Sequence, residues 1–226
     1  DHAWGWEPCT ISDIKAYRSE SNSLGSGQVL QCPYSAEKAR IVIREMADAL
    51  ALELVEKGLA TDQLTLTVGY DIENIQDPER LSRYQGEIKK DRYGRFVPKH
   101  SHGTENIGKY TSSTRKIRNA ADALFHRIVA PGLLIRRLNI TANRVLPERE
   151  VPEADACEQM DLFVDYEIMQ EEKRREEAEQ VREKKIQSTV LDIKRKFGKN
   201  AILKGTALED GATSRERNQK IGGHQA

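Results

Sequence analysis

From Leu64 to Tyr70 the sequence alternates residue by residue: Leu64, Leu66, Val68 and Tyr70 are apolar, and Thr65, Thr67 and Gly69 are polar or small. A period of two is that of a strand with one buried and one wet face. A chain holding such a strand must cover one side of it and leave the other open. Two segments can provide the cover. After Pro33, with Ser35 as N-cap, Ala39, Val42, Ile43, Met46, Leu50 and Leu54 recur at helical spacing until Gly58, a suitable C′ stop. After Thr111-Ser112-Ser113, the residues Ile117, Ala121, Leu124, Phe125 and Ile128 share one helical face until Pro131-Gly132. Three more strands are expected: Ser21 to Leu30, irregular at its glycines; Gly103 to Tyr110; and Leu134 to Asn143, with Arg137, Asn139, Thr141 and Asn143 on its polar face. The order is strand, helix, strand, strand, helix, strand. The expected fold is therefore α+β, a two-layer sandwich with a four-stranded, mostly antiparallel sheet and two helices on one face.

Charge is distributed unevenly over this frame. Lys+Arg and Asp+Glu are equal at 36 each. From Arg80 to Pro147, however, 15 basic residues face 4 acidic ones, whereas from Glu148 to Gln180 there are 4 basic and 13 acidic. A basic body is followed by an acidic neck, and an uncovered polar, basic sheet face can lie against something anionic. Residues 72–101 mix charge, Gly and Pro with little periodicity and are expected to form a long basic excursion. Asp165 to Lys185 is nearly all charged, with no apolar stripe, as in a solvated helix. Ile186, Val190, Ile193 and Phe197 add a short amphipathic stretch, and the Gly-rich residues from Gly205 are expected to be flexible. Cys9, Cys32 and Cys157 fit neither a disulfide framework nor a zinc site, and a reducing cytoplasm is expected. No apolar run is long enough to span a bilayer, so no membrane partner is expected. The sequence starts without Met, and Trp4-Gly5-Trp6-Glu7-Pro8 reads like the middle of a longer chain.

Several segments together resemble a known family. They are Asn22-Ser23-Leu24-Gly25-Ser26-Gly27, the long helix, Leu64-Thr65-Leu66-Thr67-Val68-Gly69-Tyr70, Thr111-Ser112-Ser113-Thr114-Arg115 with its helix, and Ile135-Arg136-Arg137-Leu138-Asn139-Ile140. In this order they resemble the little-finger domain of Y-family, lesion-bypass DNA polymerases, in particular the UmuC-like or ImpB/MucB/SamB group of bacteria. Ile11-Ser12-Asp13-Ile14-Lys15 resembles the linker leaving the family's thumb, and Lys196-Phe197-Gly198-Lys199-Asn200-Ala201-Ile202-Leu203 fits the same group. The resemblance implies a domain at 21–147 that adds to the grip on primer-template DNA, an end of thumb or linker at 1–20, and an acidic linker at 148–164. A charged helical tail at 165–204 and a flexible end at 205–226 complete the division. It implies DNA contact at Asn22, Ser23, Gly25 and Ser26 and at Thr111, Ser112, Ser113 and Arg115. The chemistry of the family belongs to palm carboxylates that hold Mg²⁺. No such palm is found in this sequence, so no catalytic residue, cofactor, metal or small-molecule substrate is assigned.

The residues support part of this on their own. Small residues in Ser23-Leu24-Gly25-Ser26-Gly27 let backbone N–H groups and hydroxyls approach phosphates without reading bases, although a plain bulged strand would look the same. Lys89, Lys90, Arg92, Arg95 and Lys99, interleaved with Tyr84, Tyr93 and Phe96, have the mixture of a nucleic-acid surface, though a solvated loop would share it. His100-Ser101-His102 lacks partners at metal-ligand spacing. Gln159-Met160-Asp161-Leu162-Phe163 resembles the pentapeptide with which bacterial polymerases dock on the sliding clamp, and it follows Pro147 and Pro152, where a docking peptide must be free. The expected role is DNA repair by translesion synthesis in the SOS response, with damaged primer-template DNA and the sliding clamp as partners. A free-standing DNA-binding or regulatory module of the same fold is the alternative. An enzyme with its own site in the basic loop would need a clustered acid, base or nucleophile, and none is found there.

Overall fold

A computed structural model describes residues 5, 8–17, 22–91, 93–152, 166–221 and 224–225. The first element, α1 (Ile11–Ala16), is a short helix closed by a capping box in which the side chains of Thr10 and Asp13 satisfy each other's backbone N–H groups. Its Ile11 and Ile14, and the adjoining Tyr17, are exposed. Strand β1 (Leu24–Tyr34) leads into α2 (Ala36–Lys57), where the Ser35 hydroxyl accepts from the Lys38 N–H and Gly58 ends the helix in the left-handed region. Strand β2 (Leu59–Tyr70) follows, then α3 (Glu73–Gln76), α4 (Pro78–Arg83) and a hairpin of β3 (Ile88–Lys90) with β4 (Phe96–Pro98). Next come β5 (Ser101–Thr111), α5 (Thr114–Ile128), β6 (Ile135–Asn143) and the short β7 (Leu146–Pro147). The long α6 (Tyr166–Phe197) and the single turn α7 (Ser214–Arg217) lie beyond.

The main sheet has the order β1-β6-β2-β5, with every pair antiparallel and β7 added to β2. This is the expected α+β two-layer sandwich. Leu64, Leu66 and Val68 of β2 and Leu138, Ile140 and Ala142 of β6 are fully buried against Val42, Ile43, Met46 and Leu54 of α2 and Ile117, Ala121 and Leu124 of α5. Burial of this kind contributes roughly 1.5 to 3 kcal/mol for each large side chain, so the two apolar helix faces fix which side of the sheet is covered. Pro33, which cannot donate to a ladder, falls where β1 shifts register against β6 on the outer edge. Gly108, at φ 92, sits where β5 bulges away from β2.

The excursion at 72–101 carries more structure than its lack of periodicity suggests, because capping bonds hold it rather than an apolar stripe. Asp77 caps α4, accepting from the N–H groups of Glu79 and Arg80, with Pro78 in the first turn. Buried Asn74 donates to the carbonyls of Asp71 and Leu134 and accepts from the Leu134 N–H, tying α3 to the start of β6. From Gly205 to Arg217, within the segment where flexibility is expected from composition, the chain lies against α2. The buried Glu45 carboxylate accepts from the backbone N–H groups of Thr213 and Ser214 at 2.8 and 3.1 Å. Arg217 donates to Gln28 at 2.9 Å, and Lys38 and Lys204 pair with Asp210 and Asp48.

One ion cluster locks the two covering helices together. Asp122 of α5 takes hydrogen bonds from Arg40 at 2.8 Å and from Arg44 at 2.5 to 3.1 Å, both on α2. Burial pushes the Asp122 pKa up, but the bonds and charges of the two guanidinium groups outweigh this and leave it below its ordinary value of 3.8. A depressed carboxylate contributes stability that is complete above the unfolded value and lost as the pH falls through the folded one. Asp122→Ala should therefore lower stability by about 1 to 2 kcal/mol at neutral pH. In urea titrations the deficit should shrink as the pH falls below about 5, whereas a deficit independent of pH would assign the loss to packing.

Candidate nucleic-acid interface

The face of the sheet away from α2 and α5 is built mainly from amides, hydroxyls and glycines, with exposed Val29 of β1 and Arg137 of β6 also on it. Directly opposed residues of antiparallel strands share a face, so the pairs Gln63↔Asn106, Thr65↔Thr104 and Thr67↔His102 of β2 and β5 stand together on it. Their side chains form a ladder. Gln63 donates to Asn106 at 2.9 Å, the Thr65 and Thr104 hydroxyls lie 3.1 Å apart, and the Thr67 hydroxyl is 2.9 Å from His102 Nδ1. Asn143 of β6 donates to the Thr65 hydroxyl at 2.7 Å.

Across β6 the polar residues meet glycine. Gly25 and Gly27 of β1 stand opposite Thr141 and Asn139, and Gly69 of β2 stands opposite Arg137. A Cβ at Gly25 would come within 2.6 Å of the Thr141 hydroxyl and 3.0 Å of the Ile140 carbonyl, and one at Gly27 within 2.8 Å of Asn139 Oδ1. The glycines thus keep this part of the face flat and its backbone within reach. Ser26, by contrast, pairs with buried Ile140 and belongs to the helix side of the sheet, although it remains exposed at the edge. Asn22 and Ser23 lie before β1 and are exposed, with the Asn22 carbonyl accepting from the Val145 N–H.

Two groups of cations lie in the segments just before and just after β5. The Ser101 end follows the β3–β4 hairpin, whose charges are partly matched within it. Lys89 and Lys99 share Glu87 at 3.4 and 2.9 Å, Arg95 pairs with Asp91 at 2.7 Å, and Lys90 lies 5.1 Å from the Phe96 ring centre. Accordingly the Glu87 carboxyl is held below its usual range, first by its bond from Lys99, and the Lys99 pKa is raised by the same pair. Tyr93 and Phe96 are exposed beside these cations. Arg92 lies outside the described residues.

The Thr111 end of β5 is the N-terminus of α5. The Thr111 hydroxyl accepts from the Ser113 N–H, and the Ser113 hydroxyl accepts from the Lys116 N–H as the N-cap. The site is occupied by the chain itself. On α6, Glu176, Glu179, Glu183 and Gln187 recur at spacings of three and four and so lie on one helical face. The Glu183 carboxylate accepts from the Ser113 hydroxyl at 2.6 Å and from the Arg115 backbone N–H at 2.9 Å. Glu179 pairs with the Arg115 guanidinium at 3.1 Å and Glu176 with Lys116 at 2.7 Å. Gln187 donates to the Ser112 carbonyl and the Thr114 hydroxyl at 2.9 and 2.7 Å. Ser112 donates to Glu148, which in turn pairs with Lys184.

The impB/mucB/samB family C-terminal domain matches residues 21–162, more than half of the 226. The chain belongs to that family. The impB/mucB/samB C-terminal domain is the C-terminal domain of Y-family DNA polymerases, enzymes of DNA repair and translesion synthesis. No curated protein matches the chain. Among the described residues, no helix is long and apolar enough to cross a membrane.

Within this family domain, the residues singled out from sequence fall into separate places. Gly25 lies on the open face and Ser26 on the opposite one. Lys89, Lys90 and Arg95 lie on the hairpin, and Thr111, Ser112, Ser113 and Arg115 lie at the head of α5 beneath the tail helix. Gln159, Met160, Asp161, Leu162 and Phe163 are outside the described residues. Sequence reading did not single out Gln63, Thr65, Thr104 and Asn106 as members of one polar face, although the alternation in β2 marked half of them. The acidic row of α6 was legible only as a helical spacing of carboxylates, a signal that a solvated helix also carries.

Proposed function

We propose that this domain grips duplex primer-template DNA without sequence preference, as part of a translesion polymerase. The observation that carries the reading is the flat face of hydroxyls, amides and glycines with exposed Arg137 on it, in a domain whose segments before and after β5 carry further cations. Neutral donors and backbone N–H groups contact phosphates and sugars without reading bases, and cations at the rim supply the long-range attraction. A strand of the length of β5 spans about 30 Å. One turn of B-DNA is about 34 Å, so the hairpin and the head of α5 are spaced to meet backbone phosphates roughly one turn apart.

Binding of this kind releases counterions, and it weakens steeply with salt. If about four phosphates are neutralised, log affinity falls against log salt with a slope of roughly −3 to −4. Replacing Lys89, Lys90, Arg92 and Arg95 with Glu should flatten that slope in fluorescence titrations with unrelated duplex sequences. An unchanged slope would remove the hairpin from the interface.

The second element of the reading is a tether. Gln159 to Phe163 offers one polar anchor with apolar Met160, Leu162 and Phe163 for a groove on a bacterial sliding clamp. Burial of Leu162 and Phe163, at roughly 1.5 to 3 kcal/mol each and less the cost of ordering the peptide, supports micromolar affinity. Leu162→Ala combined with Phe163→Ala should abolish clamp binding in surface plasmon resonance while leaving DNA affinity and Tm unchanged. A large fall in Tm would place both residues in the core and end this part of the proposal.

A further inference from the structure

We infer that the acidic row of α6 competes with DNA for the head of α5, making the tail helix a built-in regulator of the grip. The inference rests on the DNA-binding reading above and names what controls it.

The head of α5 has the chemistry of a phosphate site: the first-turn backbone N–H of Arg115, a hydroxyl donor at Ser113, and the side-chain cations of Arg115 and Lys116. Backbone N–H groups and the helix dipole favour an anion at this position. The anion found there belongs to Glu183, which lies 70 residues away in sequence and meets the site with both carboxylate oxygens, one on the Ser113 hydroxyl and one on the Arg115 N–H. Glu179 and Glu176 then match the two cations in the same order along α6. Three carboxylates on one helical face thus take the positions that successive anionic groups of a DNA backbone would need.

Docking closes the site. Ser113 is only 8 % exposed and Gln187 only 5 %, so a phosphate cannot reach the Ser113 hydroxyl until this part of α6 leaves. The attachment is suited to release. Apart from Glu183 and Gln187, residues 176–187 of α6 are held by partly exposed ion pairs, which contribute little and are screened by salt. The far end is held differently. Arg195 pairs with Glu56, and the chain beyond α6 is fixed to α2 through Thr213, Ser214 and buried Glu45. The acidic row can therefore lift away while remaining tethered, which keeps its effective concentration at the site high. DNA and tail are two occupants of one anion site, and apparent DNA affinity falls with the fraction of molecules in which the tail is docked.

The test uses the full chain and a fluorescein-labelled primer-template duplex. One variant carries Glu176→Gln, Glu179→Gln and Glu183→Gln. A control carries Glu171→Gln, Glu172→Gln and Glu177→Gln, which removes equal charge from the same helix without touching the head of α5. If the tail is docked in about nine molecules of ten, the first variant binds roughly tenfold tighter than the parent, and the control gains much less. Hydrogen exchange of residues 176–187 in the parent should rise when DNA is added. Equal gains in the two variants, or DNA bound to the parent with that exchange unchanged, would overturn the competition and leave the DNA grip standing. Failure of parent and both variants to bind the duplex, with exchange at 176–187 raised in the first variant alone, would instead overturn the DNA reading and this inference with it.

Discussion

The burial of α2 and α5 against one face of an antiparallel sheet determines how the rest of the domain is arranged. Leu64, Leu66 and Val68 alternate with Thr65, Thr67 and Gly69 along β2, and the strand period allows only one of these sets to enter the core. Once Leu138, Ile140 and Ala142 of β6 join that core, Arg137, Asn139, Thr141 and Asn143 must point the other way. The polar face is thus a consequence of the apolar one. Asp122, gripped by Arg40 and Arg44, fixes the two helices to each other and keeps the cover on one side.

Function in such a domain depends on what the open face can accept. Many of its side chains bond to one another, Arg137 adds an exposed cation to the face itself, and further cations lie in the hairpin after α4 and at the head of α5. That division suits a ligand whose charge runs along its backbone, since attraction acts at the rim while the flat glycine-lined centre allows close approach. It is also consistent with the family to which the chain belongs, the C-terminal domain of Y-family polymerases.

The sheet and its two helices were legible because each carries a repeated physical pattern: a period of two in β2, helical spacing in α2 and α5, and caps at Ser35 and Ser113 that the structure retains. The elements between Asp71 and Lys99 were not, since small groups of hydrogen bonds to Asp77, Asn74 and Asp91 hold them and leave no periodic trace. The docked tail escaped reading for a related reason. Its contact row is Glu176, Glu179, Glu183 and Gln187, polar at every position, and a helix that binds through charge looks in sequence like one that binds nothing. In the candidate interface, sequence located Gly25 and the hairpin cations, but only strand register could separate Gly25 from Ser26.

The open face of the sheet is the proposed seat of DNA. Amide chemical-shift mapping of the labelled domain during titration with a short duplex addresses it directly. Gly25, Gly27, Thr65, Thr67, Gly69 and Asn139 should shift together with the β3–β4 hairpin. Shifts confined to α2 and the chain beyond Gly205, with the open face unmoved, would contradict that placement.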